Sequence, residues 1–149
     1  MLAERTSGQL VIHILSLKTG QLSQVPGSEG LWTARWSPDG RYIAALTQDS
    51  CNLMLFDFRT TGWVKLATMA KIPDVVWSRH EEAIYFNGEE AGGERAIFRV
   101  KIPGGQVERL ASLAGRSESD WLGLAPDDSP LIARHTETLE IYSLTVKWP

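Results

Sequence analysis

Short apolar runs separated by polar corners recur along this chain, and none carries a helical period. No stretch of eleven or more residues keeps apolar positions at i, i+3, i+4 and i+7, whereas runs rich in β-branched and aromatic side chains are frequent. The best-formed stretch predicts four strands at residues 31–37, 41–47, 53–59 and 63–67. A Pro38-Asp39-Gly40 corner joins the first two, the polar loop 48–52 the next two, and Thr61-Gly62 the last two. Proline presets φ at the first corner position, and Asp and Gly tolerate the tight geometry behind it. Phe56 and Phe58 fall on one face of the third strand, as a period of two requires. A second set is predicted at 74–78, 83–86, 96–102 and 106–110, with a long adaptable loop from Asn87 to Arg95 that contains Gly92-Gly93. The fold class is all-β.

These strands belong to a repeat. Trp36-Ser-Pro-Asp-Gly-Arg-Tyr-Ile-Ala, Trp77-Ser-Arg-His-Glu-Glu-Ala-Ile-Tyr and Leu124-Ala-Pro-Asp-Asp-Ser-Pro-Leu-Ile superimpose, with starts 41 and 47 residues apart. Downstream of each comes a second match: Leu53-Met-Leu-Phe-Asp-Phe, Ala96-Ile-Phe-Arg-Val and Leu139-Glu-Ile-Tyr-Ser-Leu, with an earlier copy at Val11-Ile-His-Ile-Leu-Ser-Leu. A period of roughly 42 with four strands per unit is that of a propeller blade. A small twisted sheet cannot cover its own two faces, so stacking around an axis buries each face against a neighbour. The partition expected is a tail at 1–8, a half blade at 9–26 holding strands 11–17 and 21–25, blades at 31–68 and 72–112, and a final incomplete blade at 120–148 with no clear fourth strand after Trp148.

At this point the residues resemble a known family. Trp36-Ser-Pro-Asp-Gly-Arg-Tyr-Ile-Ala is similar to the WD40-like repeat of TolB and related bacterial propellers. Leu122 to Leu131, continuing to Glu140-Ile-Tyr-Ser-Leu, resembles the closing repeat of such proteins. The resemblance covers roughly residues 9–146 and departs from the pattern at Arg79-His80-Glu81, where the corner is degenerate. It implies a partial β-propeller: the C-terminal blades, about three four-stranded antiparallel blades plus a half blade. It further implies a non-catalytic scaffold for protein–protein interaction or sensing, carried in a larger multidomain protein behind a winged-helix or kinase domain. The alternative it offers is the propeller domain of a prolyl-oligopeptidase-like peptidase, gating substrate access. An unclosed arc would bare two blade faces of several hundred Å² each, at a cost of about 10 kcal/mol per face. That rivals the stability of a whole domain, so either preceding N-terminal blades or self-association is expected.

Composition narrows the function further. The chain of 149 residues carries a net charge of −3 and no basic run, which argues against a nucleic-acid partner. No apolar run approaches the roughly 18 residues of a membrane span, and the opening residues lack the form of a signal peptide, so the compartment, cytoplasmic or periplasmic, stays open. Cys51 is the sole cysteine, which excludes an intramolecular disulfide. No Gly-x-Ser-x-Gly elbow occurs (Gly27-Ser28-Glu29-Gly30 is misspaced) and no phosphate loop. His13, His80 and His135 are not at metal-ligand spacing, and Pro126-Asp127-Asp128 lacks the surrounding oxygens of a calcium loop. Catalytic, cofactor and metal residues are therefore expected to be absent.

What remains is surface. Loops joining strands two and three share a rim with those leading from strand four to the next blade. That rim would gather Glu29, Asp49, Glu89, Glu90, Glu94, Glu118, Asp120 and Glu137 against Lys71, Arg95 and Arg116. Glu89, Glu90, Glu94, Arg95, Arg116, Glu118, Asp120 and Trp121 form the candidate partner-binding rim, acidic on balance and suited to a basic or polar protein. Of the six tryptophans, Trp36 and Trp77 occupy equivalent positions and are expected between blades. Trp63 and Trp121 are the candidates for partial exposure.

Overall fold

A computed structural model describes residues 3–6, 8–80, 82–114 and 118–134. Among these there is no helix, and thirteen strands fall into four antiparallel sheets, each built from consecutive strands. The first sheet holds β1 (Ala3–Thr6), β2 (Gln9–Leu15) and β3 (Leu22–Gln24); the second β4 (Leu31–Trp36), β5 (Tyr42–Thr47), β6 (Asn52–Asp57) and β7 (Gly62–Thr68). The third holds β8 (Val75–Trp77), β9 (Ala83–Glu89), β10 (Arg95–Lys101) and β11 (Val107–Ser112), and the last β12 (Glu118–Leu124) with β13 (Pro130–Arg134). The sheet-sized repeats expected from the sequence are present as separate units, and two of them are complete four-stranded blades.

The faces of these sheets explain the composition of their middle strands. In β5, Ile43 and Ala45 turn toward the first sheet and pack with Ile12, Val25 and Phe56, while Tyr42, Ala44 and Leu46 turn the other way. There they meet Val75, Trp77, Ile84 and Phe86 of the third sheet, which presents Ala83, Tyr85 and Ile97 from its far face to Leu122 of the last. Strands buried on both faces have no reason to alternate apolar with polar residues. Hence Tyr42-Ile-Ala-Ala-Leu and Ala83-Ile-Tyr-Phe read as continuous apolar runs.

Three differences from the sequence reading have physical causes. Residues 3–6, assigned to a tail, pair antiparallel with β2 as a third strand of the first sheet. Asn87 and Gly88, read as the start of a loop, lie inside β9, so the loop is confined to Glu90–Glu94. Asn87 is buried with both amide groups bonded, and Gly88 lies where a Cβ would meet the Phe98 ring at 3.1 Å. Trp77 packs between sheets as expected, stacked on Tyr42 at 6.3 Å with its indole N–H donated to the Arg35 carbonyl of β4 at 3.1 Å. Trp36 does not: it stacks on Phe58 at 5.2 Å and stays 41% exposed. Trp77 leans on the innermost strand of the preceding sheet, and among the described residues the first sheet has no such strand for Trp36. The closing stretch from Glu140 and the fourth strand sought after Trp148 lie outside the described residues, as does His135.

The corner between strands one and two shows how a degenerate repeat is repaired. In the second sheet Asp39 accepts from the Ser37 hydroxyl at 2.6 Å and from the Arg41 amide at 3.1 Å. The equivalent of Asp39 in the third sheet is His80, which has no carboxylate. Its place is filled from the next sheet: Asp128 accepts from the Ser78 hydroxyl at 2.6 Å and from the Arg79 amide at 3.3 Å. His80 adds a second tie, with Nε2 2.6 Å from the Pro126 carbonyl oxygen. Asp128 holds φ at 62°, the left-handed value that Gly40 takes at 72° in the intact corner.

Replacing Asp128 with glycine would restore the Pro-Asp-Gly pattern and relieve the positive φ. We expect it to destabilise instead, by about 1 kcal/mol in urea unfolding, because Ser78 and the Arg79 amide lose a charged acceptor. A stabilised Asp128→Gly chain would contradict the assignment. The corner and loop aspartates also set an acid limit. Asp39 is held below the usual carboxylate range by the Ser37 hydroxyl and the Arg41 amide, and Asp49 by the Thr47 hydroxyl and the Cys51 amide. Asp57 is lowered by the Arg41 guanidinium and the Arg59 amide, and Asp127 by the Ser129 amide and hydroxyl. With folded values depressed, the unfolded chain takes up protons first as the pH falls. Stability from these groups should be complete above about pH 5 and drain away below about pH 4, as the pH drops toward and through the folded values. Urea midpoints across that range would check this, and a midpoint that rises on acidification would refute it.

Candidate functional site

Two of the expected rim loops and one strand end do converge. Glu90 and Glu94 close the β9–β10 loop through a 2.8 Å amide–carbonyl bond, Lys71 sits on the connection from β7 to β8, and Asp120 lies in β12. A 2.8 Å bond from the Glu89 amide to the Lys71 carbonyl joins the first two segments. Asp120 then lies 3.5 Å from the Lys71 ammonium and 3.4 Å from the Arg95 guanidinium. Arg109, on the outer strand β11, donates to Glu94 at 3.1 Å and approaches Glu90 to 3.9 Å. Arg116 lies outside the described residues, as do Glu137 and the side chain of Glu118.

This arrangement changes the charge of the rim. Glu90, Glu94 and Asp120 face Lys71, Arg95 and Arg109, three carboxylates against three cations. Arg109 was missed by the sequence reading because it belongs to a fourth strand and not to a rim loop. The signal was its register: β11 runs antiparallel beside β10, which returns its far end to the loop that opens β10. Such exposed pairs contribute little to stability; the loop itself is closed by backbone bonds from the Glu90 amide to Glu94 and from the Gly93 amide to Glu90.

Beneath the rim, three innermost strands lie side by side, with β8 flanked by β4 and β12. A chain of polar contacts crosses them. Asn87 accepts from the Asp74 amide at 3.0 Å and donates to the Asp120 carbonyl at 3.0 Å. Asp74 accepts from the Leu122 amide at 3.3 Å and from its neighbour Val75 at 2.9 Å, and lies 3.7 Å from the Arg35 guanidinium. A groove of about 460 Å³ opens over this chain, bordered by Arg35, Arg79, Pro38, Val76, Trp36 and Trp121. Trp121 is 52% exposed, and its ring lies over Gly123, where an added Cβ would come within 2.5 Å of the ring edge. Trp63, the other candidate for partial exposure, is half-buried and donates its indole N–H to the Pro26 carbonyl at 2.8 Å.

The opposite rim carries a smaller cleft of about 180 Å³ between the Pro38-Asp39 corner and Ser78, Arg79, His80 and Glu82. Tyr42 lines it; its phenol is buried with no hydrogen-bond partner among the described residues, and burial raises its pKa. No group of three or more His, Cys, Asp or Glu side chains suited to a metal ion occurs among the described residues.

No family model and no curated protein matches this sequence. Solved structures do. TolB from Acinetobacter baumannii aligns with a TM-score of 0.68 at 19% identity, over 87% of this chain and 33% of that one. A putative TolB from Agrobacterium tumefaciens gives 0.67 at 15% identity, over 91% and 54%. The β-propeller domain of the trilobed protease from Pyrococcus furiosus, described as having an open velcro topology, gives 0.63 at 18% identity, over 78% and 40%. The chain thus has a TolB-like β-propeller fold and spans between a third and just over half of the length of these structures.

The Trp121–Gly123 contact can be tested directly. In Gly123→Ala the ring must swing away, and since the atoms in the way are the outer end of a half-exposed side chain the stability in urea unfolding should change by less than about 1 kcal/mol. In ¹⁵N spectra the Trp121 indole resonance should move while that of Trp77 stays. An unmoved Trp121 signal would place the ring elsewhere.

Proposed function

We propose that this chain is a non-catalytic propeller segment whose rim and adjoining groove bind a partner protein. The observation that carries the reading is Trp121, a large aromatic side chain half exposed beside the ordered ion pairs of Asp120. Exposed aromatics within a polar surround are the usual anchors of protein interfaces, where truncation of one costs 2 kcal/mol or more. With Glu90, Glu94 and Asp120 already paired with cations, the rim suits a partner that offers both polar and apolar contacts better than a strongly basic one. A preorganised loop lowers the entropy lost on binding.

A second reading has one specific observation behind it, the likeness to the propeller of a protease. In that reading the segment sits over a hydrolase domain and filters what reaches it. A hydrolase encoded in the same reading frame would support it, and a winged-helix or kinase domain there would support the scaffold.

The scaffold reading predicts that Trp121→Ala, in the full gene product, weakens capture of its specific partner by about thirtyfold, the equivalent of roughly 2 kcal/mol. Lysines at Glu90 and Glu94 would face Arg109 and should weaken capture by disordering the loop. Recovery of the same partners at the same strength by both variants would remove the proposal.

A further inference from the structure

The groove over the innermost strands has a chemistry of its own. Two guanidinium groups border it, Arg35 and Arg79, against a single carboxylate, Asp74. That carboxylate is already committed: it accepts from the Val75 and Leu122 amides and meets Arg35 only at 3.7 Å. Arg35 has a side chain 52% exposed, and its backbone is fixed by the bond its carbonyl accepts from Trp77. Arg79 is exposed, and its amide is anchored on Asp128. Both cations therefore stand on fixed backbone with N–H donors to spare, since a guanidinium offers five. Between them and Trp121 the surface is apolar, formed by Pro38, Val76 and the indole itself. The chain as a whole is acidic at −3, so this local excess of positive charge is set against the general field.

We infer that this groove recognises a carboxylate next to an apolar side chain, in a peptide segment of the partner. The carboxylate lies against Arg35 and Arg79, which suit the planar, two-oxygen geometry of that group. The neighbouring apolar side chain lies on Trp121 and Val76. At about 460 Å³ the groove holds a residue pair but not a folded domain. The inference rests on the protein-binding reading above and deepens it by naming what is bound.

The test compares acetyl-Leu-Phe with its C-terminal amide, two probes that differ only in the charge of one end. Titrated into the full chain and followed by the Trp121 indole resonance, the acid should bind about tenfold more tightly than the amide. Added salt should narrow the gap. In Arg35→Gln/Arg79→Gln, checked for native unfolding, the gap should close. Acetyl-Glu-Phe amide reports whether a side-chain carboxylate serves as well as a terminal one, and binding of either acid is consistent with the site. Equal binding of acid and amide, no shift with either, or a preference that survives the double substitution would overturn the carboxylate assignment. The partner-capture result with Trp121→Ala is independent of these probes, so loss of this inference and loss of the protein-binding reading can be told apart.

Discussion

The second and third sheets are apolar on both faces, and that single constraint organises the molecule. A sheet in the middle of the row cannot bury Ile43 and Tyr42 at once unless something covers each side. The first and third sheets do that for the second, and the second and fourth do it for the third. Stability is accordingly a matter of neighbours, as in repeat proteins generally, where each unit contributes through its interfaces more than through itself. The stacked Tyr42–Trp77 and Phe86–Phe98 rings belong to one such interface.

The same constraint shaped what could be read from the amino-acid order. Periodicity located the strands well, since the Trp36 and Trp77 stretches share a corner and a downstream strand. It misjudged residues whose local signals and tertiary roles conflict. Asn87-Gly88 carries the composition of a turn, yet it sits inside β9. There Asn87 bridges two innermost strands and Gly88 admits the Phe98 ring. No local rule separates such a pair from a true corner. Trp36 and Trp77 looked alike because their strands are alike; they differ only in what precedes them in space. Residues 3–6 were passed over because four residues without a second copy give no period to detect.

For the candidate site the limits are similar. Loop positions could be inferred from the repeat, which brought Lys71, Glu89, Glu90, Glu94, Arg95 and Asp120 onto one rim. Which carboxylate meets which cation could not, because pairing depends on side chains arriving from strands with no rim assignment. Arg109 is the example: it brings a third cation to a rim that carries Glu89, Glu90, Glu94 and Asp120. The Arg35–Asp74–Asn87 chain was equally hidden, since its members come from two strands and the residue before a third, and none forms a motif. It connects the loop surface to the groove below, so that both rest on one set of hydrogen bonds.

The carboxylate that Asp128 extends to Ser78 also bears on how this gene can be rearranged. Repeats of this kind are often treated as modules to be shuffled, deleted or duplicated at will. Here one unit has given up its own corner residue and borrows that of its successor. Moving the unit that begins at Trp77 to another position in the series would separate borrower from lender. The order of these two units is thereby written into a single hydrogen-bonded corner, and recombination between repeats would have to carry both halves together.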